Sequence, residues 1–235
     1  PAANAVLVNG VRQLPEPATT AWTVSSEDTP YYLYNTSAKM FFTQGNTWGT
    51  RACVGPVLSA IPVYFSEAYE GVYYLNDYVN TRSYYDWRLV CAEANANQVY
   101  ADQRVSWGRA EWNVIFTLGD GFRLQPVSPL YSTDSISTYF GRDDEVPQDF
   151  YNAYALFSDD NQRYPVSAEI TEGEGHHIDW ALVTVEDYEA LAEVAVVYVK
   201  AQELLSYIES AKELGINMTA EQAIYENEAS TIDEM

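Results

Sequence analysis

The sequence predicts a mainly β protein in which three four-stranded segments are followed by a helical extension. Each segment opens on an aromatic strand and closes on a strand with an aromatic residue, and the spacing of about 40 to 60 residues is typical of repeat architectures. The 20 Tyr and six Trp favour β-structure, because flat amphipathic rings fit a half-buried pleated surface. From Thr184 to Leu214 there is no Gly or Pro, which indicates a change from strands to helix.

Residues 1–29 are predicted to form a leader that precedes the repeats. Its clearest signal is Asn9-Gly10 between two short apolar runs, because this dipeptide readily supplies the positive φ angles of a type I′ hairpin turn. Pro15 and Pro17 then interrupt the pattern. Because the chain starts at Pro1 and not at Met, we expect that an N-terminal piece was removed from a longer precursor.

The β-region is predicted over residues 30–185, where Gly, Asn and Asp turn signals separate strand-like runs of about five to eight residues. The predicted strands are 31–35, 39–43, 50–54 and 62–66 in the first segment, 72–77, 87–92, 98–103 and 111–118 in the second, and 122–126, 138–142, 153–158 and 178–185 in the third. The third segment is the longest, and its extra residues near 129–137 and 161–177 are predicted to form surface loops.

The helical extension is predicted over residues 186–235. Thr184 starts a stretch that resembles a capping box, and apolar residues then recur at three- and four-residue steps, as on one face of a helix. Gly215 is predicted to end this helix, and Thr219 to begin a second, shorter one. A third helix start at Ser230 is followed by few residues, so we expect the natural chain to continue beyond Met235.

The net charge of −22 restricts the partners of the protein. Binding to a phosphate backbone needs clustered Lys and Arg, and only three Lys are present, so the sequence predicts no nucleic-acid partner. No apolar run approaches the roughly 18 to 20 residues of a membrane span, so it also predicts no membrane insertion. We interpret the acidity as a source of solubility, with attraction of cationic partners as the alternative.

Two stretches carry a resemblance to known proteins. Residues 31–50, which read YYLYNTSAKMFFTQGNTWGT, resemble the opening hairpin of trefoil-like domains in secreted bacterial surface proteins, and residues 179–188, DWALVTVEDY, are similar to the way such domains end. Three four-stranded repeats of unequal length resemble a β-trefoil, the fold of ricin B-type lectin domains. The resemblance covers roughly residues 30–188. It implies an exported protein, extracellular or at the cell surface, with a lipid anchor in the precursor as one route of attachment.

The candidate ligand-binding residues are two loop tryptophans and two neighbouring polar residues, namely Asn46, Trp48, Asp102 and Trp107. A loop indole can stack on a sugar face or anchor a protein partner. The alternative for Trp48 is that its ring folds back and closes the mouth of the barrel. Ricin-type sugar binders carry Gln-x-Trp in each repeat, and this motif is absent here, so no binding residue is carried over from that family.

Catalytic and metal sites are not predicted. His176 and His177 are the only histidines, and neighbouring strand residues point to opposite faces, so we interpret them as an exposed loop pair and not as metal ligands. No Gly-x-Ser-x-Gly motif, phosphate-cradling Gly loop or EF-hand spacing occurs, so we predict no enzyme activity, metal or cofactor. Cys53 and Cys91 are interpreted as buried thiols, with a disulfide as the alternative. Trp112 and Trp180 are predicted to lie in the core.

The sequence therefore predicts a β-trefoil with a C-terminal helical extension that acts as a non-catalytic binding module. The leading hypothesis is recognition of a carbohydrate or glycoconjugate through loop aromatics. The alternative is a structural or protein-interaction domain of a larger surface protein with no sugar site.

Overall fold

The structure is a computed structural model that describes residues 6–24, 29–45, 47–76, 88–92, 98–102, 110–127, 138–148 and 162–235. The chain divides into two compact units. The first, Thr19–Val185, is called the barrel unit below. The second combines Pro1–Ala18 with Glu186–Met235 and is called the helical unit.

The described residues form sixteen strands and two α-helices. The strands are β1 (Val6–Val8), β2 (Val11–Gln13), β3 (Pro30–Asn35), β4 (Met40–Gln44), β5 (Ala52–Gly55), β6 (Pro62–Tyr69), β7 (Val72–Asn76), β8 (Arg88–Ala92), β9 (Gln98–Asp102), β10 (Glu111–Phe116), β11 (Gly121–Pro126), β12 (Tyr139–Asp143), β13 (Tyr164–Pro165), β14 (Ser167–Ile170), β15 (His176–His177) and β16 (Trp180–Val183). The helices are α1 (Val185–Glu213) and α2 (Thr219–Glu226).

Six of these strands close into an antiparallel barrel. Around the barrel, β3 pairs with β16, β16 with β11, β11 with β10, β10 with β7, β7 with β6, and β6 returns to β3. Closure leaves none of these six strands with an unpaired edge. The interior is filled by large apolar side chains, each at most 1% exposed, among them Leu33, Phe65, Leu75, Trp112, Phe122, Leu124, Trp180 and Leu182. The predicted core positions of Trp112 and Trp180 are confirmed.

The remaining strands of the barrel unit lie outside the barrel. β4 and β5 form a hairpin, as do β8 and β9, while β12 pairs with both β14 and β15. Their inward residues, such as Phe42, Val99 and Phe140, join the same hydrophobic core as the barrel. The outer strands are therefore part of one packed domain. Cys53 and Cys91 are buried within it and form no disulfide.

The predicted membership of the ricin B-type β-trefoil family is wrong. The structure shows a closed six-stranded barrel with additional strands outside it, and two helices within the described ranges. The third segment contains six strands, β11 to β16, where four were predicted, and β13 pairs with β5 of the first segment. The coarser prediction of a mainly β protein with a C-terminal helix is confirmed. Alternating aromatic residues report strands with one buried face, and such strands occur in every β-barrel, so the motif did not identify a family.

One predicted loop is also wrong. Residues 161–177 were predicted to form an insertion, and the structure places β13, β14 and β15 there. The sequence carries the signal of a strand here, because the apolar residues Val166, Ala168 and Ile170 alternate with Ser167 and Glu169. In the structure these three apolar residues are buried. The predicted strand 153–158 lies outside the described residues.

The helical unit confirms the predicted hairpin and helix ends. Asn9 and Gly10 have φ angles of 53° and 79°, as a type I′ turn between β1 and β2 requires. Gly215 has a φ of 77°, and its amide donates to the carbonyl of Lys212 at 2.9 Å, which ends α1. The core of this unit is an apolar cluster made of Ala201, Leu204, Ile208, Ala211, Met218 and Tyr225. Neither described helix has the length and apolar character needed to cross a membrane.

Candidate functional site

An open groove of about 700 Å³ lies on the surface of the barrel unit. We call it the Phe116 groove, and its lining includes Thr36, Ile115, Phe116, Asp120, Arg123 and Asp179. These residues come from the position after β3, the end of β10, the β10–β11 turn, β11 itself and the approach to β16. Because those strands are neighbours in the barrel, their ends meet at one rim and bring the side chains together.

The end of β10 and the β10–β11 turn each project one apolar side chain into solvent. Phe116, the last residue of β10, is 62% exposed, although it lies on the strand face that carries the buried Trp112 and Val114, and Leu118 in the turn is fully exposed. The turn is closed by a hydrogen bond of 2.9 Å from the Thr117 amide to the Gly121 carbonyl. Phe116 therefore continues the inward face of β10 past the end of the core.

Glycine is needed at both sides of this turn. Gly119 has a φ of 73°, in the left-handed region that side chains disfavour. A Cβ on Gly121 would lie 2.5 Å from the hydroxyl oxygen of Thr117. The local sequence therefore fixes a tight turn, and that turn sets the positions of Phe116 and Asp120.

The Phe116 ring is held by Trp22. The two ring centroids are 5.9 Å apart in an edge-to-face arrangement, and Trp22 also contacts Phe65, Tyr73 and Phe122. Such pairs contribute roughly 0.5 to 1.5 kcal/mol beyond area burial, so they restrict the ring without burying it. The groove therefore offers a positioned aromatic surface.

The charged groups of the groove differ in their partners. Arg123 donates from Nε to Asp179 Oδ1 at 2.6 Å and from Nη1 to Glu172, and it lies 5.3 Å from the centre of the Tyr139 ring. The hydrogen bond to Asp179 raises the pKa of Arg123. Asp120, in contrast, is exposed and has no hydrogen-bond or ion-pair partner among the described residues. Its carboxylate is the acceptor in the groove that is open to a ligand.

A second polar feature, which we call the histidine cluster, consists of Ser37, Asp144, His176 and His177. His177 lies 3.0 Å from Ser37 Oγ through Nδ1 and 3.0 Å from Asp144 Oδ2 through Nε2. His176 Nδ1 lies 3.0 Å from the Thr171 carbonyl. The two rings therefore have different partners, as expected for neighbours on a strand.

The order Ser37, His177, Asp144 is that of a nucleophilic triad, but its surroundings differ from those of a catalytic site. Asp144 is half exposed and also pairs with Arg142 at 3.0 Å. The Ala38 amide, next to the serine, donates to Asn35 Oδ1 at 2.9 Å and is not available to a substrate oxyanion. We interpret the cluster as a polar tie between the β3–β4 turn and the strands β12 and β15.

The histidine cluster gives a pH-dependent prediction. The hydrogen bond from His177 lowers the pKa of Asp144, so the ionised carboxylate stabilises the folded state above the ordinary pKa of about 3.9. This contribution is lost as the pH falls through the lowered pKa. We expect Asp144→Asn to cost less than about 1 kcal/mol at pH 7, because a half-exposed pair is screened, and to cost nothing in strong acid. Urea unfolding of both proteins across the acid range measures this, and a cost that stays constant with pH would contradict it.

The four predicted site residues are only partly placed by the structure. Asn46 and Trp107 lie outside the described residues, so their predicted roles stay predictions. Trp48 lies in a 3-10 turn, Thr47–Gly49, and Asp102 is the last residue of β9. The Ala101 amide donates to the Thr50 carbonyl at 2.7 Å, which brings these two backbone segments together.

Sequence reasoning missed the Phe116 groove. It assigned Phe116 and Leu118 to the predicted strand 111–118, which ends in the structure at Phe116. The available signal was the apolar residue Leu118 inside a turn-rich stretch, where burial is not expected.

Neither a cluster of metal ligands nor a known relative identifies the site. The described residues contain no group of three His, Cys, Asp or Glu side chains that could hold a metal ion. Comparison with protein-family models and with curated protein sequences finds no match to this chain.

Proposed function

We propose that the barrel unit is a non-catalytic binding module that takes a carbohydrate in the Phe116 groove. The observation that carries the proposal is the pairing of an exposed, positioned aromatic ring, Phe116, with the unpartnered carboxylate of Asp120. Sugars have apolar C–H faces that stack on aromatic rings and hydroxyl groups that donate to carboxylates. Both kinds of contact are offered within one groove.

The size of the groove supports a ligand of one or a few sugar rings. Its volume of about 700 Å³ falls within the roughly 300 to 1,000 Å³ that small-molecule sites occupy. Thr36 lies along the wall, and its hydroxyl group, which donates to the Asp179 carbonyl at 3.3 Å, accepts hydrogen bonds from a polar ligand.

The charge of the protein narrows the class of sugar. The net charge is −22, and Arg123 in the groove is already paired with Asp179 and Glu172. Acidic glycans, such as sialylated or sulfated ones, meet like-charge repulsion at such a surface. The proposed ligand is therefore a neutral glycan or an amino sugar.

We expect Phe116→Ala and Asp120→Ala each to reduce binding to a neutral glycan by at least tenfold, because each removes one of the two contact types. A glycan array identifies the ligand, and isothermal titration calorimetry of the wild type and the two variants measures the loss. The free energy of unfolding of both variants is expected to stay within about 1 kcal/mol of wild type, since Phe116 is mostly exposed and Asp120 is unpaired.

The matched controls are Leu118→Ser and Trp48→Ala. Leu118 lies at the tip of the same turn and also lines the groove, but it is neither of the two proposed sugar contacts, so its replacement separates those contacts from a general disturbance of the turn. Trp48 belongs to the site predicted from the sequence, so loss of binding in Trp48→Ala with full binding in Phe116→Ala moves the sugar site to the Trp48 loop. An array with no hits would count against any carbohydrate ligand.

A protein partner is the second candidate, and the full exposure of Leu118 favours it. A side chain of this kind at a turn tip, next to Phe116, is typical of an anchor that inserts into a partner surface. In that case Leu118→Ser abolishes capture of the partner, whereas a sugar site tolerates the change. The predicted cell-surface location was derived from the β-trefoil resemblance and stays a prediction.

A further inference from the structure

A second cavity, of about 510 Å³, lies entirely within the helical unit. Its walls come from β2, from α1 and from the segment that follows α2, and they include Arg12, Val194, Val197, Glu228, Ser230 and Asp233. None of these residues belongs to the Phe116 groove, so the cavity is a separate feature of the molecule.

Arg12 provides a buried positive charge at this cavity. The residue is 1% exposed, and it donates from Nε to the Tyr225 carbonyl at 2.8 Å and from Nη2 to the Asn227 carbonyl at 2.7 Å. Within the described part of the chain, Nη1 has no hydrogen-bond partner and no carboxylate forms an ion pair with Arg12. A buried guanidinium that lacks an anionic partner attracts a carboxylate strongly, because few waters compete for it.

Ser230 provides an unpaired hydroxyl at the same cavity. It is 5% exposed, and its amide donates to the Asn227 carbonyl at 2.9 Å. Its Oγ makes no hydrogen bond to any described residue. Because the fold leaves this hydroxyl unused and the residue lines the cavity, Oγ can donate to a ligand that enters there.

The remaining lining residues of the cavity determine which groups a ligand carries besides its carboxylate. Val194 and Val197 offer an apolar surface from α1, whereas Glu228 and Asp233 are exposed and add negative charge to the lining. Glu228 also accepts a hydrogen bond of 2.7 Å from the Leu7 amide through Oε1, so its other oxygen is the one that faces a ligand. We propose that the cavity binds a small zwitterion of the α-amino-acid type with an apolar side chain. Its carboxylate accepts hydrogen bonds from Arg12 and Ser230, its ammonium group faces the two acids, and its side chain packs on the valines.

The test is calorimetric titration of the full chain with L-leucine and two analogues that each lack one charged group. We expect leucine to bind at millimolar or lower concentration and to raise the Tm. Leucinamide, which lacks the carboxylate, and 4-methylpentanoate, which lacks the ammonium group, are each expected to bind at least tenfold more weakly.

Two variants locate the site. Ser230→Ala is expected to weaken leucine binding about tenfold, and Asp233→Asn to weaken binding of leucine but not of 4-methylpentanoate. The control is Ser210→Ala, because Ser210 is an exposed α1 residue that does not line the cavity. Circular dichroism establishes that each variant is folded.

Three results would overturn the proposal. They are the absence of binding by leucine at millimolar concentration, equal binding of leucine and 4-methylpentanoate, and full binding by a folded Ser230→Ala variant. None of them bears on the carbohydrate proposal, since glycan binding is measured with variants of the other unit.

Discussion

Trp180→Ala is expected to destabilise the barrel unit by about 3 to 5 kcal/mol, a large fraction of the roughly 5 to 15 kcal/mol by which a typical domain is stable. Trp180 is fully buried in β16, its ring stacks on Phe140 at 5.0 Å, and its indole nitrogen donates to the Phe140 carbonyl at 2.8 Å. The substitution opens a cavity where a barrel strand meets the outer strand β12, and it removes the donor for a buried carbonyl. Denaturant unfolding followed by near-ultraviolet circular dichroism measures the loss.

Trp180→Phe separates the two contributions. It keeps an aromatic ring against Phe140 and removes the indole donor, so we expect it to cost about 1 to 3 kcal/mol. Phe116→Ala is the exposed-aromatic control and is expected to cost about 1 kcal/mol or less. If Trp180→Ala unfolds at the same denaturant concentration as wild type, then Trp180 does not join the barrel to the outer strands.

Local structure was predictable where a short stretch of sequence determines it. The Asn9-Gly10 turn, the start of α1 near Thr184 and its end before Gly215 follow from backbone preferences of a few neighbouring residues. The positions of Trp112 and Trp180 in the core were also predictable, because a large aromatic residue in an alternating strand is buried.

The arrangement of the strands was not predictable in the same way. Pairing of β13 with β5 joins residues more than 100 positions apart, and no feature of Tyr164 or Pro165 specifies that partner. Such pairs form because they bury a shared core, and burial depends on the whole chain. A likeness between aromatic motifs therefore indicated the β class correctly and the family wrongly.

The candidate sites show the same limit. Phe116 and Asp120 are close in sequence, but Asp179 and Thr36 reach the groove only because β16 lies between β3 and β11. In the helical unit, Arg12 and Ser230 meet across more than 200 residues. Neither set forms a sequence motif, so each is visible only once the fold is known.

Arg12→Met is expected to destabilise the helical unit by about 1 to 3 kcal/mol. Two effects oppose each other at this position. Removing the guanidinium relieves the cost of burying a charge, but it leaves the Tyr225 carbonyl without the charged donor that it has at 2.8 Å. The Asn227 carbonyl loses its charged donor at 2.7 Å and keeps only the Ser230 amide at 2.9 Å. An unpaired buried carbonyl costs about 1 to 3 kcal/mol, and the Arg12 guanidinium carbon, which lies 5.7 Å from the centre of the Tyr225 ring, is lost as well. The lost hydrogen bonds therefore destabilise the unit by more than removal of the buried charge stabilises it.

Hydrogen exchange of the amides around Tyr225 measures this effect in the helical unit itself, because local opening there reports the lost contacts. Gln13→Met is the matched control, since Gln13 is the exposed neighbour of Arg12 in β2 and changes neither carbonyl. Arg12→Lys keeps the charge but lacks the planar guanidinium that reaches both carbonyls. The hydrogen-exchange protection of the amides around Tyr225 in this variant is therefore expected to fall between that of wild type and that of Arg12→Met. If these amides are instead protected as well as or better than in wild type in Arg12→Met, the hydrogen bonds to the carbonyls do not offset the cost of burying the guanidinium charge. Arg12 is then retained for the cavity that it lines and not for the fold, and leucine binding by Arg12→Met decides between these two roles.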